Sequence, residues 1–112
     1  MNNTQKTELE TSKLFLDACR TNKAAHNMSF MLKHKSANAT EYVFFSPAIY
    51  KTIHITKKDT WYTVRIDGMM HVNFDKNHQV AICAEELITV AEERLRREQA
   101  AAIQVTNNVH GR

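Results

Sequence analysis

The chain has 112 residues, 43 % of them hydrophobic and 24 % charged, with 2 Gly and 1 Pro. That length holds one core and leaves no room for a second, and the composition excludes disordered, collagen-like and glycine-loop architectures. The formal charge of +3 and the pI near 9.0 make the protein mildly basic, short of a chromatin-type binder.

The charge is unevenly placed. Between residues 20 and 58 the cations Arg20, Lys23, Lys33, Lys35, Lys51, Lys57 and Lys58 face Glu41 alone. A local excess of this kind attracts polyanions, although the same charges can simply solvate a surface. Cys19 and Cys83 are far apart and form no CxxC motif, and the first six residues lack the apolar run of a signal peptide. No stretch approaches the ~18 apolar residues of a membrane span. These features predict a cytoplasmic chain with reduced thiols, in which the sequons at Asn2, Asn27 and Asn38 stay unmodified.

Residues 1–6 and 106–112 read as frayed tails of a single domain. Thr7-Glu8-Leu9-Glu10 has the form of a capping box and predicts a helix over about Thr7–Asn22, burying Leu9, Phe15, Leu16 and Cys19. Met28, Phe30 and Leu32 then alternate with Ser29, Met31 and Lys33, which predicts a half-buried strand reaching Lys35. Ser36–Thr40 reads as a loop, and Glu41–Phe45 as a short strand ending before Pro47. Ile49–Thr56 and Trp61–Ile66 form strands joined by Lys57-Lys58-Asp59-Thr60, and Asp67-Gly68 turns the chain into Met69–Phe74. Ala84, Leu87, Ile88, Ala91 and Leu95 repeat with helical spacing; Gln79–Cys83 fits either the first turn of that helix or a short strand. An unbroken helix over His78–Ile103 would be ~39 Å long, so its second half either projects or pairs with a second copy. The predicted fold is α+β: an N-terminal helix, an antiparallel meander of four or five strands, and a long C-terminal helix packed on one sheet face.

Side chains alternate along a strand, so register decides which residues share a face. A four-residue connection over 57–60 pairs Thr56 with Trp61, Ile55 with Tyr62 and Ile53 with Val64. A three-residue loop over 66–68, with Gly68 left-handed, pairs Val64 with Met70 and Tyr62 with Val72. One face then holds Ile53, Ile55, Tyr62, Val64, Ile66, Met70, Val72 and Phe74. The other holds Thr52, His54, Thr56, Trp61, Thr63, Arg65, Met69, His71 and Asn73, with His54, Thr63 and His71 in one row and Lys57-Lys58 at the rim. An indole that stacks, a guanidinium that pairs with phosphate, and imidazole, hydroxyl and amide groups suit a nucleic acid. The candidate contact residues are Trp61, Arg65, His54, His71, Asn73, Lys57, Lys58, Lys33 and Lys35. If the first helix or the strand over 28–35 covered this face, Trp61 would be core instead.

Catalytic signals are weak. Two imidazoles fall short of the three ligands of a typical catalytic zinc. Glu85, Glu86, Glu92, Glu93 and Glu98 share their helix with Arg94, Arg96 and Arg97 and read as a solvated face, with Glu93–Arg97 a favourable i,i+4 pair. Cys19 and Cys83 read as small buried hydrophobes. No phosphate-binding, dinucleotide, serine-hydrolase or zinc-protease motif is present. The expectation is a non-enzyme without cofactor or metal.

Tyr50-Lys51, Trp61-Tyr62-Thr63-Val64-Arg65-Ile66, Phe74-Asp75, Ala84-Glu85-Glu86 and Ala91 give residues 50–95 a resemblance to AP2 domains and to some integrase N-terminal domains. The resemblance implies three antiparallel strands on one helix, with the sheet face in a DNA major groove and Trp61 and Arg65 in contact. Asn73 replaces the usual Gly before the Phe, and the second strand lacks the basic run. The expected function is non-enzymatic binding of DNA or RNA through the sheet face and the basic segment. The alternative is an interaction or inhibitor module, of the kind carried by phages and mobile elements, that docks on a protein and dimerises through the C-terminal helix.

Overall fold

The computed structural model describes residues 2–20 and 28–110. Seven elements follow one another: α1 (Asn3–Arg20), β1 (Ser29–Lys35), β2 (Thr40–Ser46), β3 (Lys51–Lys57), β4 (Trp61–Ile66), β5 (Val72–Asp75) and α2 (Gln79–His110). The five strands form one antiparallel meander in the order β1-β2-β3-β4-β5. The α+β architecture is the one the sequence predicts.

α1 starts earlier than predicted. The Gln5 N–H donates to Asn2 Oδ1 at 2.8 Å, and the Asn2 N–H donates to Gln5 Oε1 at 3.2 Å. This reciprocal capping box satisfies free donors at the helix start, so residues 3–6 form its first turn rather than a loose tail. The buried stripe is Thr11, Phe15, Ala18 and Cys19, and Leu9 lies off it, 56 % exposed. Asn22, Lys23 and Asn27 lie outside the described residues.

Both helices pack on one side of the sheet. Phe15, Ala18 and Cys19 of α1 and Val80, Ala84, Leu87, Ile88 and Ala91 of α2 share a core with Tyr42, Phe44, Ile53, Ile55, Tyr62, Val64, Ile66 and Phe74. α2 begins at Gln79, which settles Gln79–Cys83 as helix. His78 caps it: the Val80 N–H donates to His78 Nδ1 at 3.1 Å, and the Ile82 N–H donates to the His78 carbonyl at 3.0 Å. At 1.5 Å per residue α2 spans ~48 Å, within a molecule whose longest dimension is 67 Å.

Three local features depart from the predicted register. First, β1 carries a bulge at Met31: Phe30 pairs with Phe44, but Leu32 pairs with Val43. The extra residue inverts the alternation beyond it, so Leu32 faces away from the helices and Lys33 faces them. Second, the β3–β4 hairpin is tighter than predicted. The Lys58 N–H donates to the Trp61 carbonyl at 2.9 Å, which leaves Asp59-Thr60 as a two-residue loop and pairs Ile55 with Val64 and Ile53 with Ile66.

Third, Gly68 is left-handed as predicted (φ 85°), and the Met69 N–H donates to the Ile66 carbonyl at 2.9 Å. The chain then stays irregular until Val72, which pairs with Val64. Met70, predicted as core, is therefore 73 % exposed. β3 likewise starts at Lys51 and not Ile49, because Tyr50 adopts a left-handed backbone with φ 54°.

Candidate functional site on the open sheet face

The helices leave the second sheet face uncovered. By register it presents Leu32 and His34 from β1, Glu41, Val43 and Phe45 from β2, and Thr52, His54 and Thr56 from β3. β4 adds Trp61, Thr63 and Arg65, and β5 adds Asn73 and Asp75. Trp61 is 48 % exposed, at the β5 end of the face and opposite Asp75.

The centre of this face is a shallow hollow of ≈ 320 Å³ lined by Glu41, His54, Thr56, Lys58, Thr63, Arg65, His71 and Asn73. The tighter β3–β4 hairpin and the longer β4–β5 connection each shift the pairing by two residues, so β4 slides against both neighbours while Thr56 and Asn73 stay in one row. His54 lies opposite Arg65, and Thr56 opposite Thr63 and then Asn73. A two-residue shift preserves faces while changing neighbours, so the predicted set stays together while its rows differ. Thr63 Oγ1 donates to Asn73 Oδ1 at 2.6 Å, which leaves the Asn73 NH2 group free to donate. Glu41 Oε2 lies 3.5 Å from His54 Nδ1, and Arg65 Nη1 lies 3.9 Å from Asp67 Oδ1. The second distance is loose, so the guanidinium can turn to another anion.

Six of the nine predicted residues sit on or beside this face: Trp61, Arg65, His54, His71, Asn73 and Lys58. The other three belong to the helix side. Lys57 Nζ donates to Glu85 Oε1 at 3.0 Å, and Lys33 Nζ lies 2.7 Å from Glu92 Oε1. Lys35, opposite Thr40, follows Lys33 in parity. The Met31 bulge explains Lys33 and Lys35. Lys57 alternates with His54 and Thr56, which puts it on the core side. Each carboxylate also receives a tyrosine hydroxyl: Tyr62 donates to Glu85 Oε2 at 2.5 Å and Tyr42 to Glu92 Oε1 at 2.9 Å. Burial, then these carboxylates, pushes both phenols above their ordinary range, while Lys33 and the Tyr42 hydroxyl hold Glu92 below the usual carboxylate range.

Two contributors escape the sequence pattern. Glu41 reaches the hollow from β2, and no local motif marks it. Tyr50, 81 % exposed, packs edge-on against Phe45 with ring centroids 5.3 Å apart. Its positive φ is a sparsely populated conformation for a non-glycine residue, and such strain clusters at working surfaces.

No helix among the described residues is long and apolar enough to cross a membrane. Among the same residues no group of three or more His, Cys, Asp or Glu is placed to hold a metal ion. Profiles of known protein families, curated proteins and solved structures yield no match to this chain.

Proposed function

We propose that the protein is a non-enzymatic binder of single-stranded nucleic acid, and that the open sheet face is its contact surface. The observation that carries this is the hollow between β3, β4 and β5. It combines two cations, Arg65 and Lys58, with a set of hydrogen-bonding side chains. Exposed aromatic rings flank the face, Trp61 at one end and Tyr50 on Phe45 at the other. Cations meet phosphates, aromatic faces stack bases, and amide and hydroxyl groups read base edges.

A single strand fits better than a duplex. Glu41, Asp67 and Asp75 share the surface with the two cations, and Lys33 and Lys57 are held on the far side by Glu92 and Glu85. Duplex binding rests chiefly on phosphate neutralisation, for which this face is too sparsely charged. Stacking on a strand is less dependent on charge.

The test is fluorescence anisotropy of labelled single-stranded DNA and RNA across a salt series. Affinity should fall with salt, with a slope reduced by roughly 0.7 when Arg65→Gln removes one phosphate contact. Trp61→Ala should weaken binding about fivefold or more, within the range for loss of one stacked base. Absence of association at low salt would end this proposal.

A second reading, docking of a protein partner, is favoured by β1. This seven-residue strand forms one edge of the sheet and carries Met31 and Leu32 at 56 % and 48 % exposure. An exposed edge strand is a template for strand addition. Salt-insensitive capture of a partner that is lost in a β1 variant, without affinity for oligonucleotides, would support it.

A further inference from the structure

We infer that a second hollow, between the start of α1 and the outer side of β5, is a subsite for one unstacked nucleobase of the bound strand. This inference rests on the proposed single-strand reading and adds where a base goes and which bases are preferred.

The hollow measures ≈ 430 Å³, within the range of small-ligand sites. His71 and Asn73 line both it and the hollow on the sheet face, so the two adjoin at β5. Their chemistry differs. The sheet hollow contains Arg65 and Lys58; the second contains neither, and Met70 and Val72 supply apolar surface. Met70 is 73 % exposed on a loop where its thioether packs little of the core. A polarizable thioether is a good neighbour for a planar aromatic ring.

Glu8 completes the division of labour. It lines the second hollow from α1. It repels a phosphate there and accepts a hydrogen bond from an exocyclic amino group, such as the N4 amino group of cytosine. Thymine and uracil carry no such donor. A strand lying across β5 would thus place a phosphate by Arg65 and swing the adjoining base onto Met70 and Val72. The Asn73 amide stands at the junction.

The experiment measures binding of oligo(dC) and oligo(dT) of about 12 nucleotides to the full chain, by anisotropy at several salt concentrations. The wild type should prefer oligo(dC) about fivefold or more, and Glu8→Gln should erase most of that preference. Met70→Ala, and Thr7→Phe, which fills the hollow from α1, should each weaken oligo(dC) binding about fivefold, an effect within the range for one lost base contact. Neither should change the salt slope, because no phosphate contact is removed. Met70 is exposed, and Thr7 and Glu8 are partly buried outside the core cluster, so all three variants should melt close to the wild type. If the wild type binds both oligonucleotides equally, or Met70→Ala and Thr7→Phe are silent, the base subsite is wrong and the sheet-face proposal stands. If the wild type binds neither oligonucleotide, both fall together.

Discussion

Lys33 Nζ lies 2.7 Å from Glu92 Oε1 across the interface between sheet and helix, with the ammonium 5.7 Å from the Tyr42 ring centroid. One heptad earlier on α2, Glu85 takes Lys57 and Tyr62 in the same manner. These two Lys–Glu–Tyr clusters pin α2 to β1–β2 and to β3–β4. They also place two lysines of the basic segment on the side opposite the candidate site. The molecule's excess of positive charge is therefore not concentrated on the open face.

The Glu92 cluster sets an acid limit to stability. Lys33, aided by the Tyr42 hydroxyl, lowers the Glu92 pKa in the folded chain. A carboxyl shifted this way stabilises the fold above its unfolded pKa, and the gain is lost as pH falls through the folded pKa. Glu92→Gln should be less stable than wild type by roughly 1 kcal/mol near neutral pH. Urea titrations should show that difference shrinking below about pH 4. A difference that persists unchanged into acid would place the effect elsewhere.

The tyrosines act in the opposite direction. Burial, reinforced by Glu92 and Glu85, raises the Tyr42 and Tyr62 pKa values. Their contribution is complete below the unfolded phenol pKa and disappears as pH rises through the folded value. In an alkaline titration followed by tyrosinate absorbance, these two phenols should ionise only as the chain unfolds. Tyr62→Phe should make that transition less steep and cost roughly 1 kcal/mol near neutral pH.

The Met31 bulge can be tested through Leu32 and Phe44. Leu32 lies beyond the bulge and faces away from the helices, whereas Phe44, paired with Phe30 before it, is 2 % exposed. Leu32→Lys should change unfolding free energy by no more than about 0.5 kcal/mol. Phe44→Ala should cost about 3–5 kcal/mol. Equal penalties at both sites would mean that β1 continues without the bulge.

Gly68→Ala isolates a backbone effect. Gly68 has φ 85°, and a Cβ built there meets nothing closer than Lys51 Nζ at 4.0 Å. There is no clash, so the penalty comes from the left-handed backbone alone, about 1–2 kcal/mol. Thermal melts of the variant measure it directly.

The thiols should be slow to react. Burial pushes Cys19 up to about 12, with further increments from Cys83 and Glu86, and burial also raises Cys83. The thiolate is the nucleophile, so at about pH 8 a maleimide or disulfide reagent should leave Cys19 in a Cys83→Ser variant unmodified until denaturant is added. Rapid labelling of the native variant would contradict this burial.

Sequence periodicity determined the α+β class, the order of the elements and the two faces of the β3–β4 hairpin. Alternation of Ile53, Ile55, Tyr62, Val64 and Ile66 sorts those faces whether or not the pairing is off by two residues. The capping-box pattern occurs at both Asn2–Gln5 and Thr7–Glu10, and only the structure chose the earlier one.

Tertiary structure alone decided which residues became neighbours across strands, that Met31 would be the extra residue, and that Lys33 and Lys57 would meet carboxylates on α2. Each depends on a partner distant along the chain: a pairing strand that tolerates one unpaired residue, or a helix whose Glu85 arrives 28 positions after Lys57. Local propensity cannot encode such contacts, because they gain free energy only once the sheet and the helix are packed together.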